Sequence, residues 1–323
     1  MRSNQLSYPA ICVRNAQTRC KSKKFLFTDK AFGSVFSLSL QTNYVSTLKK
    51  SICGMKKAIL VVLVFIIMQV VVPIVATYLF GAYDMSFGKT GKVAEQISNP
   101  YVLSGMMLVS YVLIVAALYG WRLLSPSAGL VRRNRLLPLA VVIMVLAIVP
   151  MSYVEELLDL NDATGGIVKM LMYNPLGVFC ITIIGPVVEE LVFRRAFLGS
   201  LLEKNIKPVI AVPVSALVFG LVHFNPAQIP AAFVLGILLG WMYLRTGSLV
   251  PSIVCHVVNN ALCVALALCF PDDIGLSGLL GGTAAAVWMS FGCAIAAVYL
   301  IGIYNKKTAV LQEPVHEIKN DEN

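Results

Sequence analysis

The chain has 323 residues, of which 58% are hydrophobic and 13% are charged, and its formal net charge is +10 at pH 7. Soluble domains carry about 25% charged residues, so this composition excludes an ordinary soluble protein and indicates a polytopic membrane protein. The apolar runs are long enough to cross about 30 Å of hydrocarbon as helices, and they lack the alternation of barrel strands. The sequence therefore predicts an all-α bundle of transmembrane helices.

The first 54 residues are basic and hold nine Lys and Arg side chains against the single Asp29, so they supply +8 of the net charge of +10. The rest of the chain is nearly neutral, which argues against a nucleic-acid partner. Met55 and two lysines open directly onto the first apolar run, as is typical of bacterial inner-membrane proteins. We expect residues 1–54 to be a disordered extension upstream of a physiological start at Met55. An organellar transit peptide shares this composition and stays an alternative.

Eight apolar segments follow, which we predict to be transmembrane helices within a domain over residues 55–305. The segments are residues 58–80, 101–124, 136–152, 167–203, 208–224, 227–244, 248–270 and 278–304. Residues 153–165 are acidic and are predicted to form an external, interfacial helix. Residues 306–323 are predicted to form a polar, cytoplasmic tail.

The charges of the short loops predict the orientation of the bundle. Loops rich in Lys and Arg favour the cytoplasm. With eight spans, the basic loops all fall on one side and the acidic loops on the other. The sequence therefore predicts cytoplasmic termini, and we expect the protein to lie in a bacterial cytoplasmic membrane.

Residues 185–195 place four charged side chains inside an apolar helix. An ionised group at bilayer depth costs about 2.5 to 3.5 kcal/mol on insertion scales, so such groups face a partner or a polar cavity. Glu190 and Arg194 are four residues apart on one helix face, which predicts an ion pair. Glu189 points about 100° away and must face something else. Taken alone, this stretch is also compatible with charges that neutralise each other as a packing device.

Two histidines also interrupt apolar helices. His256 and Asn260 are four residues apart and share a face. If the fourth and fifth segments form a hairpin at Ile206, Glu189 and His223 each lie 17 residues from the turn and reach the same depth. Such a set suits acyl hydrolysis: a carboxylate accepts a proton from water, one histidine positions the water, and a second histidine with a carboxamide donates to the oxyanion.

At these positions the chain resembles the CAAX prenyl protease and bacteriocin-processing (CPBP, or Abi) family of intramembrane proteins. The resemblance covers about residues 167–262 and lies in three ordered motifs: Glu-Glu-x-x-x-Arg, Phe-x-x-x-His and His-x-x-x-Asn. The motif positions are Glu189, Glu190, Arg194, Phe219, His223, His256 and Asn260.

The resemblance implies a glutamate-dependent intramembrane endopeptidase. Glu189 would be its general base, and His223 would help to activate the water. His256 with Asn260 would form the oxyanion site. The expected substrate is a membrane-associated or membrane-proximal peptide, with the lipid bilayer as the other partner.

The resemblance also implies that Glu190 with Arg194 would hold the geometry of the site. Two histidines and a glutamate could bind zinc. We expect no metal or other cofactor, because the sequence has no His-Glu-x-x-His and a carboxylate with a histidine can activate water unaided. The alternative function is a non-enzymatic immunity, scaffold or transport protein with a polar intramembrane cavity.

Overall fold

The computed structural model describes residues 56, 59–79, 99–121, 135–270 and 274–310. The predicted extension over residues 1–54, most of the predicted tail, and several loop residues on which the orientation depends lie outside the described residues. All regular elements of the described chain are helices, which confirms the all-α bundle. The predicted orientation stays a prediction.

The described residues are arranged in helices. In order they are α1 (Ile59–Leu79), α2 (Pro100–Gly120), α3 (Leu137–Leu158), α4 (Gly165–Met172), α5 (Pro175–Glu203), α6 (Pro208–Leu221), α7 (Gln228–Thr246), α8 (Leu249–Cys269), α9 (Leu276–Leu279) and α10 (Thr283–Val310). Seven of them, α1, α2, α3, α5, α7, α8 and α10, are long and apolar enough to cross a membrane. The chain is therefore a multi-pass membrane protein.

The fifth predicted segment forms a shorter helix than the sequence predicts. Helix α6 has 14 residues, which gives a length of about 21 Å at 1.5 Å per residue. That is less than the hydrocarbon thickness of about 30 Å. The helix ends because the amides of His223 and Phe224 bond three residues back, to Gly220 and Leu221, and Phe224 then turns the chain with a φ of 50°.

Helix α6 packs closely on α7 in an antiparallel hairpin. At Gly236 of α7, an added Cβ would lie 2.9 Å from the Cα and Cβ atoms of Ala216 on α6. At Gly220, an added Cβ would lie 3.1 Å from the carbonyl oxygen of Ile229. The absence of side chains at these two positions lets the two backbones approach each other.

Two helices extend beyond their predicted ends. Helix α3 continues through Glu156 to Leu158, so the separate interfacial helix predicted over residues 153–165 is wrong. The Glu156 carboxylate accepts hydrogen bonds from the Ser277 hydroxyl and from the Ser277 amide at 3.0 Å, which holds this acidic extension against α9. Helix α10 continues to Val310, beyond the predicted end at residue 304.

Arg245 of α7 fixes the last turns of α10. Its Nη2 donates to the Asn305 carbonyl at 2.6 Å, and its Nε donates to the Thr308 hydroxyl at 3.0 Å. The Trp241 indole donates to the Asn305 side chain at 3.2 Å. These bonds explain why the helix persists into a polar stretch.

Helix α5 carries the charged stretch and is not a regular α-helix. It contains two π-helical segments, Cys180–Ile184 and Leu191–Leu198, on either side of Gly185–Glu190. Such segments widen the helix locally and occur frequently at functional sites. The carbonyl of Phe193, in the second segment, accepts a hydrogen bond from the Ser215 hydroxyl of α6 at 3.1 Å.

We predict that Gly236→Ala destabilises the fold, because the new methyl group must displace the backbone of α6. Overpacking of this kind costs about 1–3 kcal/mol. The matched control is Gly292→Ala in α10, where no atom of the described chain lies within 4 Å of the added Cβ. Thermal unfolding in detergent should show a lower midpoint for the first variant and an unchanged or higher one for the second. Equal midpoints for both variants would contradict the close packing of α6 on α7.

Candidate active site

The predicted ion pair on α5 is present and fully buried. Arg194 Nε lies 3.1 Å from Glu190 Oε2, and both side chains are 0% exposed. The guanidinium carbon of Arg194 lies 4.8 Å from the centroid of the Phe219 ring, which is the geometry of a cation–π contact. Neither Nη1 nor Nη2 of Arg194 has a hydrogen-bond partner within the described chain.

His256 of α8 lies between the two glutamates. Its Nδ1 lies 3.1 Å from Glu190 Oε1, and its Nε2 lies 3.7 Å from Glu189 Oε2. Glu189 therefore faces the His256 imidazole, a partner that the sequence did not identify. The side chain of Glu189 is 16% exposed, whereas that of His256 is 2% exposed.

The two glutamates thus have different environments. Both oxygens of Glu190 are engaged, one by Arg194 and one by His256. Among the ion pairs and side-chain hydrogen bonds of the described residues, Glu189 makes only the longer contact with His256. Of the two carboxylates, only Glu189 has exposed surface.

The Phe219 ring of α6 joins the two histidines to the ion pair. Its centroid lies 5.0 Å from that of His223 and 5.6 Å from that of His256, in edge-to-face arrangements. Phe193 of α5 packs edge-on at 5.2 Å. Because Phe219 is fully buried, it fixes the spacing between α5, α6 and α8 at this level.

The hydrogen bond of His223 defines its neutral tautomer. Its Nδ1 lies 2.8 Å from the carbonyl oxygen of Phe219. A carbonyl only accepts, so in the neutral ring Nδ1 carries the proton and Nε2 presents a lone pair. No hydrogen bond in the described chain joins His223 to Glu189 or Glu190. The structure brings His223 to the site through the Phe219 ring rather than by direct contact.

Asn260 lies one turn beyond His256 and connects α8 to α5. Its Nδ2 donates to the carbonyl of Ile181, in the first π-helical segment, at 3.0 Å. Its Oδ1 accepts from the side-chain Nδ2 of Asn259 at 3.2 Å. Part of its hydrogen-bonding capacity is thus used within the fold.

Tyr111 of α2 lies beside the charged stretch and escaped the sequence reasoning. Its hydroxyl is so close to Gly185 that an added Cβ would lie 2.8 Å from the oxygen. Tyr111 is 2% exposed. A single tyrosine in an apolar helix does not indicate a functional site in the sequence. Only Gly185 indicates that another group approaches the backbone of α5 closely.

The described residues contain no group of three or more His, Cys, Asp or Glu side chains arranged to hold a metal ion. The expectation that the protein needs no metal stays a prediction.

Comparison with known proteins connects this geometry to a family. The model of type II CAAX prenyl endopeptidase Rce1-like proteins matches residues 172–262, a segment that contains every candidate site residue. The chain is 33% identical over 105 residues to the membrane-embedded CAAX protease MroQ of Staphylococcus aureus, covering 31% of this chain and 42% of that protein. It is 28% identical over 108 residues to the putative membrane peptidase YdiL of Bacillus subtilis, covering 33% and 44%.

The chain thus spans less than half the length of the curated relatives it matches. No solved structure matches the chain.

We predict that Arg194→Ala lowers the folded yield and the unfolding midpoint, because it leaves the Glu190 carboxylate buried without its cation. Removing one partner of a buried ion pair costs about 3–5 kcal/mol. The control is Arg195→Ala, which removes the neighbouring, partly exposed arginine. Detergent-extracted protein should be compared by size-exclusion yield and by thermal unfolding. Two variants of equal stability would refute a structural role for the pair.

Proposed function

We propose that this chain, which belongs to the CAAX prenyl protease and bacteriocin-processing family, is a membrane-embedded endopeptidase in which Glu189 activates water. The observation that carries the proposal is the difference between the two adjacent carboxylates. Glu190 is buried with both oxygens engaged, and Glu189 is accessible with one weak contact. A general base must be free to contact a water molecule. Glu189 has exposed surface and no close hydrogen-bond partner, whereas Glu190 is fully buried with a partner on each oxygen.

The proposed first step is proton transfer from water to Glu189. The Nε2 lone pair of His223 accepts the second hydrogen of the same water and orients it, since Nδ1 is engaged with the Phe219 carbonyl. The resulting hydroxide attacks the peptide carbonyl and gives a tetrahedral oxyanion. Collapse of this intermediate breaks the C–N bond, and the proton held by Glu189 passes to the leaving amine.

His256 and Asn260 are the proposed donors to the oxyanion. Because Nδ1 of His256 donates to the Glu190 carboxylate, Nε2 can also donate only when both ring nitrogens carry a proton, so in this role the ring is an imidazolium. In the resting geometry Nε2 faces Glu189, so it must exchange that carboxylate for the substrate oxygen. Protonation of Glu189 weakens its attraction for a donor at the moment when the oxyanion forms, which favours the exchange. Asn260 can contribute the amide hydrogen that does not bind Ile181.

Glu190 and Arg194 are proposed to hold this arrangement rather than to touch the substrate. Their pair anchors His256 through Glu190 Oε1, and His256 in turn faces Glu189. Preorganised groups of this kind need little reorganisation during the reaction.

The proposed substrate is a peptide segment at or near the membrane. The matching family is described as type II CAAX prenyl endopeptidase Rce1-like, and the relatives are named as a membrane-embedded CAAX protease and a putative membrane peptidase. A prenylated C terminus, a bacteriocin leader and a membrane-anchored peptide are all compatible with the site. The bacterial origin of both relatives supports a bacterial cytoplasmic membrane as the location.

We predict that Glu189→Gln abolishes cleavage and leaves the fold intact, because the amide keeps the shape but cannot accept the proton. Loss of a general base lowers the rate by about 10²–10⁴-fold. The control is Glu203→Gln at the end of the same helix. Vesicles containing each protein should be assayed with an internally quenched farnesylated CAAX peptide and with its unprenylated counterpart. Peptides that accumulate in native-cell membranes carrying Glu189→Gln would identify other substrates. Undiminished cleavage by Glu189→Gln would defeat the proposed role of Glu189. Cleavage of neither peptide by the unaltered protein, with no peptide accumulating in the native cell, would favour a non-enzymatic function.

We also predict that exhaustive chelation leaves cleavage unchanged, because a carboxylate and a histidine activate the water. The wild-type protein should be treated with chelator, dialysed and assayed with the same two peptides. Restoration of a lost rate by added Zn²⁺, but not by Mg²⁺, would overturn this prediction.

A further inference from the structure

The turn that follows His223 is held by a fully buried asparagine. His223 itself lies beyond the last residue of α6, and Phe224 has a left-handed φ of 50°. Asn225, the next residue, is 0% exposed. His223 is therefore carried by a turn rather than by the interior of a helix, and its position depends on what holds that turn.

The Asn225 side chain uses all four of its hydrogen-bonding positions. Its Nδ2 donates to Asp162 Oδ1 at 2.7 Å and to the Thr164 hydroxyl at 2.8 Å. Its Oδ1 accepts from the Ala163 amide at 3.1 Å and from the Ala227 amide at 3.3 Å. A carboxamide has two donors and two acceptor sites, so the group is saturated.

These bonds connect the turn to the chain that leads into α5. Asp162 Oδ1 also accepts from the amides of Thr164 and Gly165, at 3.1 and 2.8 Å, where α4 begins. Helix α4 is followed directly by α5, whose first turn is capped by the side chain of Asn174. Asn225 is thus a direct link between the turn that carries His223 and the segment that leads into the glutamate helix.

The backbone of Asn225 also begins α7. Its carbonyl oxygen accepts from the amides of Gln228 and Ile229, at 3.0 and 3.1 Å. One residue therefore holds the end of the α6 turn, the start of α7 and the loop before α4. The hydrogen bond of His223 goes to its own helix, at Phe219, and does not fix the ring relative to α5.

We propose that Asn225 is a positioning residue that fixes His223 relative to Glu189. This rests on the proposed function, in which His223 orients the water that Glu189 deprotonates. Loss of the Asn225 side chain frees the turn to move. A shift of about 1 Å in a reacting geometry can cost 10²-fold in rate.

The main test uses the histidine signals of the whole protein. The chain has only three histidines, His223, His256 and His316. In ¹⁵N-histidine-labelled protein, the ring resonances of His223 can be assigned from the spectrum of His223→Gln. Asn225→Ala should shift or broaden the His223 resonances and leave those of His256 unchanged. In the cleavage assay, kcat should fall about 10- to 100-fold and KM should change less than about 2-fold.

The matched control is Asn305→Ala, which removes the acceptor of the Trp241 indole on α10. It should lower the unfolding midpoint without moving the His223 resonances. A lower midpoint in Asn225→Ala with unchanged His223 resonances and unchanged kcat would mean that the residue only stabilises the fold, and would overturn the proposal.

Exchanging the side chains of Asn225 and Asp162 tests whether the position of His223 can be restored. Asn225→Asp alone places a second carboxylate against Asp162 and should disturb the His223 resonances. Adding Asp162→Asn returns one donor and one acceptor to the contact and should restore them at least in part. No restoration would count against the Asn225–Asp162 bond as the link.

The test still decides the proposal if Asn225→Ala does not fold or if the proposed function fails. If Asn225→Ala does not fold, Thr164→Val removes a single acceptor of the same amide and should give a smaller shift of the His223 resonances; no shift would overturn the proposal. The resonances need no substrate, so they decide the positioning of His223 even where Glu189→Gln retains full cleavage.

Discussion

The fully buried pair of Glu190 and Arg194 is the constraint on which the rest of the site depends. Desolvating two ions costs several kcal/mol each, and their attraction offsets this only with good geometry and further partners. Here the groups come from three helices. The ion pair lies on α5, and α6 supplies the Phe219 ring that contacts the Arg194 guanidinium. Helix α8 supplies the His256 imidazole that contacts Glu190. These helices must therefore pack at this level for the charges to be stable, and the same packing brings the two histidines together.

The pair also gives two adjacent carboxylates different environments. Engagement of both Glu190 oxygens keeps that group fixed, and the rotation of about 100° per residue turns Glu189 towards Nε2 of His256. The π-helical segments on either side of Gly185–Glu190 change the angle at which the helix presents these groups. In a regular α-helix the carbonyls of Leu191–Leu198 would point in other directions, which would alter the hydrogen bond from Ser215 of α6 to the Phe193 carbonyl.

The sequence predicts the parts of this structure that depend on local spacing. The apolar runs predict the helices, and the four-residue spacing of Glu190 and Arg194 predicts their ion pair. Local spacing does not predict contacts between distant segments. The extension of α3 through Glu156 is held by Ser277, which lies 121 residues away in the sequence. The position of His256 between two glutamates likewise depends on how α8 packs on α5. The short α6 was mispredicted because its apolar run continues past Leu221, where backbone bonding, not hydropathy, ends the helix.

The site therefore has two halves that are held differently. Glu189, Glu190, Arg194 and His256 lie within helices α5 and α8, and the backbone hydrogen bonds of those helices fix them. His223 lies past the end of α6, where its amide and that of Phe224 bond only three residues back. Groups on helices are placed more accurately than groups on loops unless a supporting shell fixes the loop. At the helix end the His223 side chain is partly exposed, as the proposed water activation requires. The loss of helical restraint is offset by the saturated, buried carboxamide of Asn225, two residues later.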